Sequence, residues 1–528
     1  MDILYLLIAI GLIHCSLFFF DTIFKTCCHF PYIYLLENSG LEVKLMRIKW
    51  FTTTFNRKII KWSSSCSKFW TAWFNAGVII SIILCIVVIV AILRVTIHII
   101  CDLTFNIWAA SPSPHKNLPV SLEVMLPGVN MPLSEIGYYL ITLAICIIFH
   151  ELGHALAAVR EDIQLYGVGI YLVLIIPVAY VSMNREQYVL LPLRSQLKIM
   201  CAGVWHNVIL AVLAAAIFVL STWFWTPLYN LNSGVYVKSI LPNSPLRGSM
   251  GLLESDIIYK LNNCPVKHRD DWANCIINAI RQPTPGYCVK QSFIQEYDES
   301  VPSTQKVNGV INCCTLDNET SGSLCFEYIE GPQAAPLNLP PHSCLPARAM
   351  IDQSKNYCQT SYECSSPDTH CIKPSLDNVT KVRNIFKFIT TLAKNIMYLN
   401  LLMSLQIVEI KRKVGKDVLF LGHPADAYRT VDVSDWIPKY SFLNPQIPES
   451  LTLLCKYIIT ISSGLAAGNV VPCFFFDGQH IINILALYVS HVIPLSRHIR
   501  RVLTLTITSI GSILLIINIV YFLINKSV

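Results

Sequence analysis

Apolar residues in this chain come in long blocks separated by polar stretches. Six blocks approach or exceed the roughly 20 residues a helix needs to cross a hydrocarbon core: Asp2 to Phe20, Ala76 to Ile100, Tyr138 to Val159, Leu197 to Trp225, Leu451 to Ala467 and Val502 to Leu523. A further block, Ile163 to Ser182, is as apolar as these but contains Gly167, Gly169, Pro177 and many β-branched residues. That composition predicts a re-entrant strand or hairpin, which is tolerated at membrane depth only where protein or a water-filled cavity satisfies its polar backbone. If Ile163 to Ser182 is instead a full span and the insertion that follows is lumenal, the basic residues between Lys44 and Lys68 fall in the lumen.

Between Tyr229 and Pro448 the pattern changes. Val235, Val237 and Ile240 alternate as in a strand, Pro242 to Pro245 makes a turn, and "DIIYKLNN" predicts a second strand, so a small β-rich module opens the insertion. Near its end, Asn384 to Val408 is apolar but holds Lys387 and Lys394, which predicts an amphipathic helix in the insertion or on the membrane face. The chain therefore divides into an N-terminal anchor and basic loop (1–75), a first membrane segment (76–228), the insertion (229–448) and a C-terminal membrane segment (449–528).

Composition agrees with this pattern. Of 528 residues, 53% are hydrophobic and 14% charged, which excludes an ordinary soluble enzyme and indicates a polytopic α-helical membrane protein. The first block has no basic leader and is followed by Asp21, Ile23 and Phe24, so it reads as a retained signal-anchor. The net charge of +7 is uneven, because Lys44, Arg47, Lys49, Arg57, Lys58, Lys61 and Lys68 share the loop after that block. Such a bias marks a cytoplasmic loop rather than nucleic-acid binding.

Ten of the 20 cysteines lie between Cys264 and Cys371, together with or close to the sequons at Asn318 and Asn378. An even set of cysteines beside glycosylation acceptors, with no paired C-x-x-C knuckles, favours disulfides in an oxidising lumen over zinc ribbons. A lumenal insertion, with Ile163 to Ser182 not crossing, places the basic loop in the cytosol, as the charge bias requires.

The chemistry concentrates in "CIIFHELGHALAAVR", Cys146 to Arg160. His150 and His154 are four apart and share one helix face, while Glu151 is offset by about 100° and reaches a water at an open coordination position without being a ligand. This is the H-E-x-x-H spacing of zinc proteases. A chance pentapeptide is the plain alternative, but two imidazoles and a carboxylate in a membrane block must overcome desolvation, so they mark a functional site. A catalytic zinc takes three protein ligands, and Asp477 in "GNVVPCFFFDGQH" is the candidate third, with His480 as the alternative. Asn469, Pro472 and Gly478 break the helix there and free the chain to turn inward.

These motifs resemble the eukaryotic site-2 proteases, intramembrane zinc metalloproteases, over nearly the whole chain. The resemblance rests on H-E-L-G-H at His150, the Gly-rich hairpin, "CAGVWHN" at Cys201 to Asn207, the β-module, the Cys-rich insert and "NVVPCFFFDGQH", in that order. It implies one zinc held by His150, His154 and Asp477, with Glu151 as general base. It also implies supporting or substrate-binding roles for Asn207, Asn469 and Gly478, and a PDZ-like fold beginning at Gly234. The implied partners are the bilayer and membrane-tethered transcription factors, such as sterol-regulatory-element-binding proteins, pre-cut on the lumenal side. No direct nucleic-acid contact is expected, and residence is in the Golgi or endoplasmic reticulum. Rival readings are a metal transporter, which needs no glutamate beside a ligand histidine, and an inactive scaffold, which would more often have lost one of the four key residues.

Overall fold

The computed structural model describes the chain apart from residues 1, 109–124, 126–130, 249, 282–284, 303, 306–310, 316–321, 330–340, 355, 365, 367, 376–405, 495 and 528. Both sequon asparagines, Asn318 and Asn378, lie outside the described residues. The chain divides into two compact units, one formed by residues 1–221 with 451–528 and the other by residues 222–450.

Among the described residues of the chain, six helices are long and apolar enough to cross a membrane. They are α1 (Asp2–Cys27), α4 (Ser67–Trp108), α5 (Ile136–Arg160), α7 (Leu193–Trp225), α8 (Gln446–Val470) and α10 (Arg497–Ser527). Shorter helices are α2 (His29–Ser39), α3 (Asn56–Ser64), α6 (Arg185–Leu190) and α9 (Asp477–Val492). Helix α5 ends where Asp162 takes a left-handed conformation, φ 59°, which stops the helix as a C-terminal cap does. Ala155, Ala157 and Ala158 are fully buried, and such small side chains let helices approach closely in a membrane protein. Residues 482–492 fall within α9, which is 16 residues long and not among the candidate spans.

The Gly-rich block folds as a hairpin of β3 (Leu165–Val173) and β4 (Ile176–Met183), turning through Leu174 at φ 57°. It does not stand alone. Residues expected to form a basic loop make a second hairpin, β1 (Leu41–Lys44) and β2 (Arg47–Thr52), and the four strands form one antiparallel sheet in the order β1-β2-β3-β4. Leu41 and Val43, then Ile48 and Trp50, alternate with charged neighbours, a strand signal that the cations hid. His14, buried within α1, lies 2.7 Å from the Leu174 carbonyl at the hairpin tip.

The second unit is built on two sheets. One has six strands, with Val235–Ile240 and Ile257–Leu261 paired antiparallel as the alternation predicts; Gln406–Arg412, Val418–Gly422, Val431–Ser434 and the short Cys264–Pro265 complete it. Helix Arg269–Arg281 covers it through Trp272 and Ile276, packed with Val235, Val237 and Ile258. The other sheet has five strands around a core of Tyr287, Phe326, Leu345 and Ile372.

The ten cysteines of this region form five disulfides: Cys264–Cys275, Cys288–Cys364, Cys313–Cys325, Cys314–Cys344 and Cys358–Cys371. The expected amphipathic helix at 384–408 lies outside the described residues except for its last three. Gln406, Ile407 and Val408 belong to a strand instead, because their side chains are buried on both of its faces.

Candidate metal centre

Four elements of the membrane unit bring the site together. Helix α5 carries His150, Glu151 and His154, with both histidines buried. Their rings stand 4.8 Å apart and nearly perpendicular, so the two Nε2 atoms approach to 3.2 Å. Asp477, the first residue of α9, places Oδ2 at 3.0 Å from His150 Nε2 and 3.3 Å from His154 Nε2. The structure thus gathers the two histidines and the aspartate. A pair separation of about 3.3 Å is what three corners of a tetrahedron with bonds near 2.0–2.1 Å require.

The protonation pattern fits a metal. His154 Nδ1 lies 2.8 Å from the Ile199 carbonyl, which can only accept, so Nδ1 carries the hydrogen and the neutral ring offers a lone pair at Nε2. Two protonated Nε2 atoms at 3.2 Å would repel each other. Asp477 Oδ2 is buried with no hydrogen-bond partner among the described residues, although it faces both rings. Buried nitrogen and oxygen acceptors aimed at one point suit a cation.

Helix α7 supports the rings. A Cβ on Gly203 would sit 2.4 Å from His154 Nε2 and 2.6 Å from His150 Nε2, so only glycine lets α7 pass this close. The Asn207 side-chain amide lies 3.2 Å from His150 Nδ1. Its nitrogen is placed toward the ring while its oxygen is buried without a partner; exchanging the two lets Oδ1 accept from Nδ1–H and leaves the His150 Nε2 lone pair free for a metal. Helix α8 fixes Asn207 from behind, with Ser462 Oγ donating to the Asn207 carbonyl at 2.9 Å.

Sequence reasoning missed the support from Gly203, Ile199 and Ser462. Only Gly203 left any signal, as the first residue of the "GVWHN" pattern; a backbone carbonyl leaves none.

Glu151 points differently. Its carboxylate lies within 4.8 Å of the imidazole nitrogens, close to the Val181 peptide of β4. Gly478 is required for another reason, because a Cβ there would be 2.0 Å from the Val471 carbonyl, so the α8–α9 connection closes only over glycine. Asn469 is half-buried one residue before the end of α8, and His480 follows Asp477 within the first turn of α9. Among the described residues, no hydrogen bond or ion pair joins either of them to the two histidines.

Six candidate spans around two histidines, a glutamate and a remote aspartate define a polytopic membrane protein of metallopeptidase architecture. The chain belongs to peptidase family M50, whose family model matches residues 138–517. It is also similar to a membrane-bound transcription factor site-2 protease homolog of Arabidopsis thaliana, with 27% identity over 262 residues, 46% of this chain and 48% of that protein. The chain thus spans about half the length of the curated relative it matches.

Proposed function

We propose that this chain is an intramembrane zinc metalloprotease that hydrolyses a peptide bond within or near the transmembrane helix of a substrate. The observation that carries the reading is the convergence of His150 Nε2, His154 Nε2 and Asp477 Oδ2 within 3.3 Å of one another, with Glu151 beside them. Zinc held there by His150, His154 and Asp477 would supply the Lewis acid that polarises the scissile carbonyl. Glu151 takes the proton of the attacking water and passes it to the leaving amine. Asn207 and the Ile199 carbonyl hold the two rings in the tautomer that keeps each Nε2 free. Asn469 and Gly478 support the loop that delivers Asp477, and Asn469 also meets the substrate.

A helix hides its own amides, so the substrate unwinds locally before reaction. Strand β4 is an edge of its sheet and runs beside Glu151, which suits it to hold the unwound segment by strand addition. We read the β3–β4 hairpin as re-entrant. The reading is supported by the contact between its tip carbonyl and His14, inside a candidate span, since protein then satisfies polar backbone at membrane depth.

The sheet-rich unit at 222–450 is lumenal and PDZ-like in this reading, and acts as a size filter against uncut substrates. The substrates are membrane-tethered transcription factors, sterol-regulatory-element-binding proteins among them, already clipped on the lumenal side and releasing a cytosolic fragment. The protein acts in the Golgi or endoplasmic reticulum.

The test compares wild type with Glu151→Gln, measuring bound zinc and cleavage of a pre-trimmed transmembrane substrate. Zinc in both and cleavage by wild type alone is the expected result. Zinc in both with equal cleavage would sink the protease reading and favour transport or scaffolding.

A further inference from the structure

The chain contains no Asp or Glu between Glu42 and Asp102, yet this stretch is rich in Lys, Arg, Trp and Phe. Part of that charge is used internally: Lys44 and Lys49 pair with Glu42, and Arg47 lies over the Tyr171 ring. Helix α3 uses its charge differently. Its inner face is fastened, with Ile59 and Ser63 buried, Ser63 Oγ donating to the Leu156 carbonyl of α5 at 3.2 Å, and Asn56 Nδ2 donating to the carbonyls of Leu165 and Tyr166. The helix is therefore held against rolling.

The opposite face presents Arg57, Lys58 and Lys61, all exposed, and Lys68 follows in the first turn of α4. Among the described residues none of these four cations forms an ion pair. The acids at the end of α5 do not neutralise them, since Glu161 is bound to Lys198 at 2.8 Å and Asp162 is exposed without a basic partner. Large apolar side chains share the surface: Ile60, Trp62 and Phe69 are each about half exposed.

Position identifies what covers this surface. Arg160 at the end of α5 donates to Ser67 Oγ at 2.6 Å, so α3, the start of α4 and the end of α5 meet where two candidate spans terminate. Exposed tryptophan and phenylalanine at span ends are the signature of a membrane interface, and unpaired cations beside them favour anionic lipid.

We propose that α3 and the first turn of α4 form a binding surface for the phosphate headgroups of anionic phospholipids. Arg57, Lys58, Lys61 and Lys68 bind the headgroups, while Ile60, Trp62 and Phe69 enter the boundary of the acyl chains. Because α3 is bolted to α5, the bound lipid bears on the helix that carries His150, Glu151 and His154. The proposal does not depend on the protease reading.

The test uses the full-length chain in nanodiscs of phosphatidylcholine with a minority of phosphatidylserine. Lipid retained after extraction is measured by native mass spectrometry for wild type and for R57Q/K58Q/K61Q. Wild type should enrich phosphatidylserine, the enrichment should fall by up to roughly fivefold per cation removed, and high salt should weaken it. Equal phosphatidylserine-to-phosphatidylcholine ratios in wild type and the triple variant would overturn the proposal. If the triple variant does not fold, Lys61→Glu alone must lower the ratio several-fold, and an unchanged ratio there overturns the proposal equally. Loss of the enrichment in free inorganic phosphate, but not in chloride at the same ionic strength, would assign the site to soluble phosphate and also overturn it.

Discussion

At the scale of single residues, the candidate site depends on what stands behind the two histidines. Gly203 has no room for a side chain, so Gly203→Ala should drive a methyl group into both imidazoles and weaken zinc binding on the order of 100-fold, read by competition with a chelator. Unchanged affinity would show that α7 yields there. Asn207 offers a subtler test. Asn207→Leu removes the acceptor for His150 Nδ1–H and should cost about 10–100-fold in zinc affinity, whereas Asn207→Asp keeps an acceptor and should hold zinc far better. Equal affinities in the two variants would rule out an orienting role. His150, His154 and Asp477 were legible in the sequence because charge inside an apolar block is costly and needs a reason. The Ile199 carbonyl and Ser462 were not legible, since their contribution arises only when α5, α7 and α8 pack together.

At the scale of elements, the sheet of the membrane unit carries the sharpest expectation. Pro177 occupies a position of β4 that needs no donor toward β3, and in an antiparallel ladder residues of the same parity, Ala179 and Val181, turn their N–H groups to the free edge. Val181 accordingly has its peptide beside Glu151. Ala179→Pro should leave the β3–β4 pairing intact but remove one outward donor, lowering kcat/KM roughly 5- to 10-fold, the scale of a single hydrogen bond. A variant that cleaves at the wild-type rate would exclude strand addition at this edge. The β3–β4 hairpin was readable from its glycines and β-branched residues, and the long helices from block length. The β1–β2 hairpin was not, because seven cations between Lys44 and Lys68 drew the reading toward a loop. The disulfide pairing was also beyond the sequence, since ten cysteines have many possible connectivities; the strands set Cys325 opposite Cys344 and Cys371 opposite Cys288, yet each of these four bonds a different cysteine.

At the scale of the whole molecule, the two units separate the chemistry from its proposed filter. His150, His154, Asp477 and Asn207 all lie in the unit of residues 1–221 and 451–528, while the five disulfides lie in residues 222–450. Removing a native disulfide typically costs about 2–5 kcal/mol in a small domain, so a phosphine reductant should loosen the second unit and leave the metal centre in place. The filter reading then predicts that the reduced protein keeps its zinc and begins to cleave untrimmed substrate. Continued rejection of that substrate after confirmed reduction would rule the filter out. The same division has a consequence for biosynthesis. Asp477 leaves the ribosome roughly 320 residues after His154, a delay on the order of 20–60 s at ordinary elongation rates. During that interval the nascent chain carries two histidines and a glutamate with no third ligand. In the proposed zinc-protease reading the centre closes only after the disulfide-bearing segment has been synthesised, so a chain truncated before Asp477 would not cleave the membrane proteins around it.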